Sequence, residues 1–305
     1  MSSINFSPDK DIPSLAGQVI FITGGTAGLG SGSIRALAKH EPAQIIFSGR
    51  NEKSANALID DVRKQSPNVK VTFVRCDISS LASVRECATT IKSTTDRLDI
   101  FMLNAGIMAV PPATSADGYE IQFATNHVGH ALLVKLLLPL LQHTAKLPGA
   151  DVRVINMTSI AYQQAPSQGI DFATLKSSQP NLGLLNKWAR YGQSKLAQML
   201  YTDELASHYP EITWVSIHPG VILTGLFENT TLWTRLPVLL INLGKTTPVE
   251  KGHFAQCWAA TAPGIVNGMY YEPIGIKAKR TTALARDQKL AAKLWEWTQT
   301  ELAKW

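Results

Sequence analysis

The stretch Val19-Ile20-Phe21-Ile22-Thr23-Gly24-Gly25-Thr26-Ala27-Gly28-Leu29-Gly30 decides how this chain folds. Four apolar residues, mostly β-branched or aromatic, run straight into four glycines, and a helix-compatible segment from Ser33 to Lys39 follows. That order reads as buried strand, tight turn, helix. Open backbone N–H groups at the start of such a helix, reinforced by its dipole, favour an anion such as a pyrophosphate. The spacing Thr-Gly-x-x-x-Gly-x-Gly meets the mechanics of a dinucleotide fingerprint in different letters from Gly-x-Gly-x-x-Gly. Taken alone, the same glycines also suit a turn that merely brings a helix close to a sheet.

Outward from this turn, apolar strands recur with helical segments between them. Gln44 to Ser48 is a second strand, ending at Gly49 and Arg50. In NAD-binding folds a carboxylate about 20 residues past the glycines takes the ribose hydroxyls, whereas an Arg there accommodates a 2′-phosphate. Arg50 holds that place, so the strand end reads as NADP-specific even though Glu52, a carboxylate two residues later, points the other way; a solvated loop cation is the plainer alternative for Arg50. Ser54 to Gln65 has helical spacing and Val69 to Arg75 alternates like a strand before Cys76 and Asp77. Asp77 can accept from an adenine amino group or cap the next helix, and the two roles are compatible.

Leu98 to Leu103 is the next buried strand and runs into Asn104, Ala105 and Gly106, small residues over which a cofactor can pass. A helix is expected from Phe123 to Gln142, with Asn126, His127 and His130 near its start. The two histidines lack a carboxylate or Cys to complete a metal set, so no metal is predicted. Val152 to Met157 ends in Thr158 and Ser159, and the polar segment from there to Tyr191, about 160–190, is long enough to be a functional flap. Tyr191 and Lys195, four apart, fall on one side of the helix they open. An ammonium close to a phenol favours the phenolate and draws it toward acid–base chemistry. Thr213 to Ile217 is a sixth strand, stopped by His218, Pro219 and Gly220; Gly268 to Ile274 is a candidate last strand. Segment 221–247 carries Leu226, Phe227, Leu232, Trp233 and Leu236 and reads as an apolar lid, or else as a core helix or dimer contact. The helical tail from Leu284 to Lys304 closes over the site or covers a neighbouring subunit, which leaves a homo-oligomer open.

Composition narrows the class. With 305 residues, 45% hydrophobic and 17% charged, the chain fits a globular enzyme in one domain. The net charge of +6 is scattered, which argues against nucleic acid as a partner. Cys76, Cys87 and Cys257 lack metal or redox spacing and fit free thiols in a reducing compartment. Residues 1–15 lack the apolar core of a signal peptide and read as a surface arm. The apolar runs Ala131 to Leu141 and Leu236 to Leu243 are shorter than the roughly 20 residues of a membrane span. No stable membrane insertion is expected, and the cytoplasm is the expected compartment.

Thr23-Gly24-x-x-x-Gly28-x-Gly30, Asn104-Ala105-Gly106, Asn126, Ser159, Tyr191-x-x-x-Lys195 and Pro219-Gly220 together resemble the short-chain dehydrogenase/reductase family over nearly the whole chain. Ser48-Gly49-Arg50 and Asn126-His127-Val128-Gly129-His130 resemble its retinol-dehydrogenase-like and WW-domain-oxidoreductase-like branch; the long spacing from Ser159 to Tyr191 is similar to fungal reductases of bulky natural products. The resemblance implies a doubly wound parallel sheet of Rossmann type over residues 16–305. It implies Tyr191 as general acid or base, Lys195 on the nicotinamide ribose and lowering the pKa of Tyr191, and Ser159 donating to the substrate oxygen. It further implies Asn126 holding a water that relays protons toward Lys195. Gly24, Thr26, Gly28, Leu29, Gly30, Arg50, Asp77, Asn104, Gly106, Lys135, Ile222 and Thr224 complete the implied NADP(H) set with Tyr191 and Lys195. The expected activity is hydride transfer to or from a ketone or secondary alcohol of a large apolar small molecule. The same scaffold also serves epimerases, dehydratases, cyclases or a non-catalytic NADP-binding regulator.

Overall fold

Among the described residues, nine strands form where apolar runs meet turn residues: β1 (Val19–Ile22), β2 (Gln44–Gly49), β3 (Lys70–Arg75), β4 (Ile100–Leu103), β5 (Arg153–Met157), β6 (Thr213–Ile217), β7 (Val221–Ile222), β8 (Thr246–Thr247) and β9 (Tyr270–Tyr271). The computed structural model describes residues 4–182, 186–222, 246–272 and 274–305. Seven strands build one parallel sheet in the order β3-β2-β1-β4-β5-β6-β9, while β7 and β8 pair separately. This is the doubly wound, Rossmann-type order, and the strand sequence reverses between β1 and β4.

Strand residues alternate between two cores because successive side chains point to opposite faces. Phe21, Phe101, Leu103 and Val154 enter one core, and Ile20, Ile22, Met102 and Ile155 enter the other. Phe21 and Phe101 stack at 5.0 Å between ring centroids, directly across the β1–β4 register. The second core is covered by α1 (Pro8–Asp11), α2 (Gly28–Ala38), α3 (Glu52–Gln65) and α8 (Phe254–Thr261). The first is covered by α4 (Leu81–Thr94), α6 (Gly129–Ala145), α7 (Lys187–His208) and α9 (Gln288–Glu301).

Several boundaries depart from the sequence reading. Residues 1–15, expected as a surface arm, send Phe6, Ile12 and Leu15 into the core, and Asp9 pairs with Lys39. Helix α7 starts at Lys187, a turn ahead of Tyr191. Strand β9 is cut to two residues because the chain doubles back, with Gly275 at φ +77° and Ala278 N–H bonded to the Tyr270 carbonyl. The helix expected over 123–142 is a continuous helical run, Ile121–Ala145, comprising α5 (Ile121–Phe123), a π-helical turn (Ala124–Val128) and α6. By length and composition this run could cross a membrane, yet 72% of its most apolar window is buried inside the fold. The tail lies on its own chain: Trp295 stacks on His208 at 4.2 Å and on Tyr201 at 5.3 Å. Most of the expected lid, including Leu226 to Ile241, lies outside the described residues.

Candidate active site

The carboxyl ends of β1 and β4 meet at the reversal of strand order, where open α/β sheets leave a ligand crevice. Gly24 (φ +67°) and Gly28 (φ +54°) shape the turn leaving β1 in a conformation that side-chain-bearing residues avoid. A Cβ on Gly30 would run into the Gly24 carbonyl and lie 2.8 Å from Asn104 Nδ2, so the turn closes only with glycine there. Asn104 clamps it from β4, its Nδ2 donating to the Thr23 carbonyl at 2.8 Å and the Gly24 carbonyl at 3.3 Å. The start of α2 has no side-chain cap and no acid in its first turn, which leaves its dipole unopposed for an anion. Thr26 lies over the end of β2: a Cβ on Gly49 would sit 2.7 Å from it, and exposed Arg50 follows directly.

On the other side of the crevice, three elements bring the polar triad together. Ser159 caps a short 3-10 turn (Ile160–Gln164), accepting from Ala161 N–H at 3.2 Å, and its side chain pulls the Tyr191 phenol toward lower pKa. Lys195 Nζ lies 5.5 Å from the Tyr191 ring centroid and donates to the Met157 carbonyl and Gln198 Oε1, both at 2.8 Å. Burial pushes the phenol up to about 12, against the pull of Ser159, and pushes Lys195 down to about 7. The net shift of Tyr191 is upward, with desolvation of the charged form as its largest cause. Asn126 braces the neighbouring loop: its Oδ1 accepts from Ile107 N–H at 2.9 Å, and Nδ2 donates to the Ile107 carbonyl at 3.0 Å and Ser194 Oγ at 2.9 Å. Both Nδ2 protons are thus spent on protein. Gly106 keeps this junction open, since a Cβ there would approach Asn126 Oδ1 to 3.1 Å and Lys195 Nζ to 3.9 Å.

A family model described as short chain dehydrogenase matches residues 18–182, and the match takes in the glycine turn, Asn104, Asn126 and Ser159. The short-chain dehydrogenase/reductase drtF of Aspergillus calidoustus is 35% identical, covering 96% of each chain. The chain belongs to the short-chain dehydrogenase family. Human retinol dehydrogenase 13 is 32% identical over 92% of this short-chain dehydrogenase and 83% of its own length, in keeping with the retinol-dehydrogenase-like branch. Among solved structures, an uncharacterized protein of Mycobacterium paratuberculosis superimposes with a TM-score of 0.74 at 26% identity, covering 98% and 97% of the two chains. The Pseudomonas aeruginosa RhlG complex with NADP shares the fold at 23% identity, with a TM-score of 0.66 over 91% and 98%.

A short-chain dehydrogenase binds a nicotinamide cofactor, and the residues at the sheet's carboxyl edge fit one. The uncapped α2 terminus offers N–H groups, and space is open around Gly28, where a Cβ would meet nothing within 4 Å. Ile222 is buried at the end of β7, its side chain against Gly252; Thr224 lies outside the described residues. Leu29 is half-buried, and its carbonyl accepts from Gln256. Asp77 is not the cap of α4: Ser80 is, accepting from Ser83 N–H, while Asp77 Oδ1 takes the Ser79 N–H and hydroxyl. Lys135 is not brought to the crevice. It donates to the Leu302 carbonyl at the end of α9, because its place on α6 faces the tail.

Residues that the motifs did not single out hold the site together. Thr158 Oγ1 donates to the Lys195 carbonyl at 2.8 Å, and Gln198 joins Lys195 to Asn156. Gln198 stands three residues after Lys195, a spacing that puts it one turn further along the same helix. Buried Arg190 and Glu120 pair at 3.3 Å, and Arg190 also donates to the carbonyls of Val110 and Gln179, pinning the segments on either side of Tyr191. Met108, Ala109 and Ala161 form an apolar wall with Tyr191, and Trp188 meets the phenol ring edge-to-face at 6.2 Å.

Proposed function

We propose that this short-chain dehydrogenase is an NADP(H)-dependent oxidoreductase that moves a hydride between nicotinamide and a ketone or secondary alcohol of a bulky apolar molecule. The observation that carries this reading is the meeting of Ser159, Tyr191 and Lys195 beside the glycine turn. The apolar wall of Met108, Ala109, Ala161 and Trp188 around the phenol supports a large nonpolar substrate. Arg50, exposed at the end of β2 with no carboxylate on the strand end, supports the phosphorylated cofactor. Gly24, Thr26, Gly28, Leu29, Gly30, Asn104, Gly106 and Ile222 would hold the dinucleotide. Residues 16–305 act as one catalytic domain in the cytoplasm.

The bound nicotinamide supplies or accepts the hydride. Ser159 donates to the substrate oxygen and orients it beside Tyr191. The phenol, kept protonated at neutral pH by burial, would give its proton to that oxygen in reduction and be left as phenolate; in oxidation the phenolate would take the hydroxyl proton back. Lys195, held by Met157 and Gln198, would donate to the ribose hydroxyls of the cofactor and, in its protonated form, set a positive charge next to the ring.

The test is NADPH consumption, followed at the reduced-nicotinamide absorbance, against a panel of apolar ketones. Net oxidation of NADPH supports the reading; conversion of substrate with no change in NADPH assigns the scaffold to isomerisation or dehydration instead. Arg50→Ala should erode the preference for NADPH over NADH, and an unchanged ratio of affinities removes Arg50 from the cofactor site.

A further inference from the structure

Beneath the glycine turn, Thr23 Oγ1 is the meeting point of several polar groups. It lies 2.9 Å from the backbone nitrogens of Asn104 and Ala105, 2.9 Å from His130 Nε2 and 3.4 Å from the Met102 carbonyl oxygen. The two amides only donate, so they occupy both lone pairs of the hydroxyl and leave its one proton to be given away. The imidazole at 2.9 Å is the better placed acceptor. At the far side of the ring, His130 Nδ1 lies 3.1 Å from the Asn126 carbonyl oxygen, which only accepts, so Nδ1 carries a proton. Burial pushes His130 down to about 4, the Asn126 carbonyl opposes this, and the Lys195 charge adds to the lowering. The ring is therefore neutral at pH 7, with Nε2 free to accept.

One direction of hydrogen bonding satisfies every member. The amides of Asn104 and Ala105 donate to Thr23, the Thr23 hydroxyl donates to His130, and His130 donates to the Asn126 carbonyl. A protonated ring would confront the Thr23 oxygen with three donors for two lone pairs. The Asn126 end sits in the π-helical turn, where Gly129 N–H reaches back five residues to Ala124, a distortion often found at functional sites. Asn126 Nδ2 then donates to Ser194 Oγ, which donates to the Tyr191 carbonyl at 2.7 Å.

We propose that His130 is a positioning residue whose single neutral tautomer fastens the cofactor-side turn at Thr23 to Asn126 on the catalytic side. Seating of the dinucleotide and placement of Asn126 are thereby coupled. The coupling rests on the glycine turn being the dinucleotide site; the direction of the hydrogen bonds does not.

Selective ¹⁵N-histidine spectra of the cofactor-free protein decide the first point. A histidine with protonated Nδ1 and bare Nε2 should persist from about pH 5.5 to 8 and vanish in His130→Phe, whereas an Nε2–H tautomer or titration near the ordinary value overturns the proposal. NADPH affinity, read by quenching of protein fluorescence, decides the second. His130→Phe and Thr23→Val should each weaken binding about tenfold, the worth of one buried hydrogen bond. Thr23→Ser, which keeps the hydroxyl, should restore it. The double variant should bind no more weakly than the weaker single one, and additive losses overturn the coupling. If the unaltered protein binds neither NADPH nor NADH, the dinucleotide reading and the coupling fall together, and the histidine spectra still decide the hydrogen-bond direction.

Discussion

Lys195 Nζ stands 5.5 Å from the centroid of the Tyr191 ring while giving hydrogen bonds to the Met157 carbonyl and Gln198 Oε1. A phenol held up at about 12 beside that amine keeps a proton ready for a developing alkoxide. Tyr191→Phe should slow NADPH oxidation by about 10²- to 10⁴-fold, the usual range for general acid help, with the melting temperature nearly unchanged. Full activity in that variant would remove Tyr191 from the mechanism.

Gln198 is expected to matter through Lys195. Gln198→Leu takes one acceptor from the ammonium and leaves Asn156 Oδ1 without its donor inside the core. Each unsatisfied buried group costs about 1–3 kcal/mol, so urea unfolding should register a loss of that size and NADPH turnover should fall with it. A loss below about 0.5 kcal/mol would mean that the network relaxes around the leucine.

Arg190 and Glu120 are both buried, and burial raises Glu120 to about 7 despite the hydrogen bonds from Phe123 and Gln122 and the Arg190 charge. Arg190→Met strands that carboxylate and frees the carbonyls of Val110 and Gln179. The expected destabilisation is about 3–5 kcal/mol, partly recovered when Glu120→Gln is added. Chemical denaturation of the two variants checks it; a double variant as unstable as the single would show that the carbonyl contacts, not the charge, dominate.

Acid should unfold this protein through its histidines. His127, His130 and His218 are buried, and burial pushes them to about 3, about 4 and about 3. Between those values and 6.5 the unfolded chain takes up protons that the folded chain refuses, so the stability these histidines contribute is full above about pH 6.5 and is lost as the pH falls. Each such group costs up to about 1.4 kcal/mol per pH unit in that window. Urea midpoints measured from pH 7 to 4.5 should drop steeply, and His127→Phe should flatten the drop; a level profile contradicts neutral buried imidazoles.

Two glycines of the turn should respond differently to the same methyl group. At Gly28 a Cβ finds open space, so Gly28→Ala pays only for φ +54°, about 1–2 kcal/mol. At Gly30 it meets the Gly24 backbone and the Asn104 amide, neither of which can yield without opening the turn. Gly30→Ala should abolish detectable NADPH binding in calorimetry, and binding of normal strength would show that the turn can shift.

The strand–turn–helix of the first dinucleotide-binding unit, and the pairing of Tyr191 with Lys195 on one helix, were legible because each depends on residues close in sequence. The arm at residues 1–15 was misread because its apolar residues are few and scattered; only the surface left open beside α2 and α8 draws Phe6, Ile12 and Leu15 inward. Lys135 fails for a similar reason. Its position on α6 says nothing of its partner, which lies 167 residues away on the tail.

By itself, the sequence determined the alternation of buried strands with helices and the order of the site motifs, whose family resemblance implied the doubly wound sheet, since apolar runs, glycines and helical spacing act over a few residues. Only the tertiary structure decided the ionisation of Tyr191 and Lys195 and the direction of the Thr23–His130–Asn126 hydrogen bonds. Those properties depend on exclusion of water and on partners from separate strands and helices, brought within about 3 Å only when the sheet is assembled.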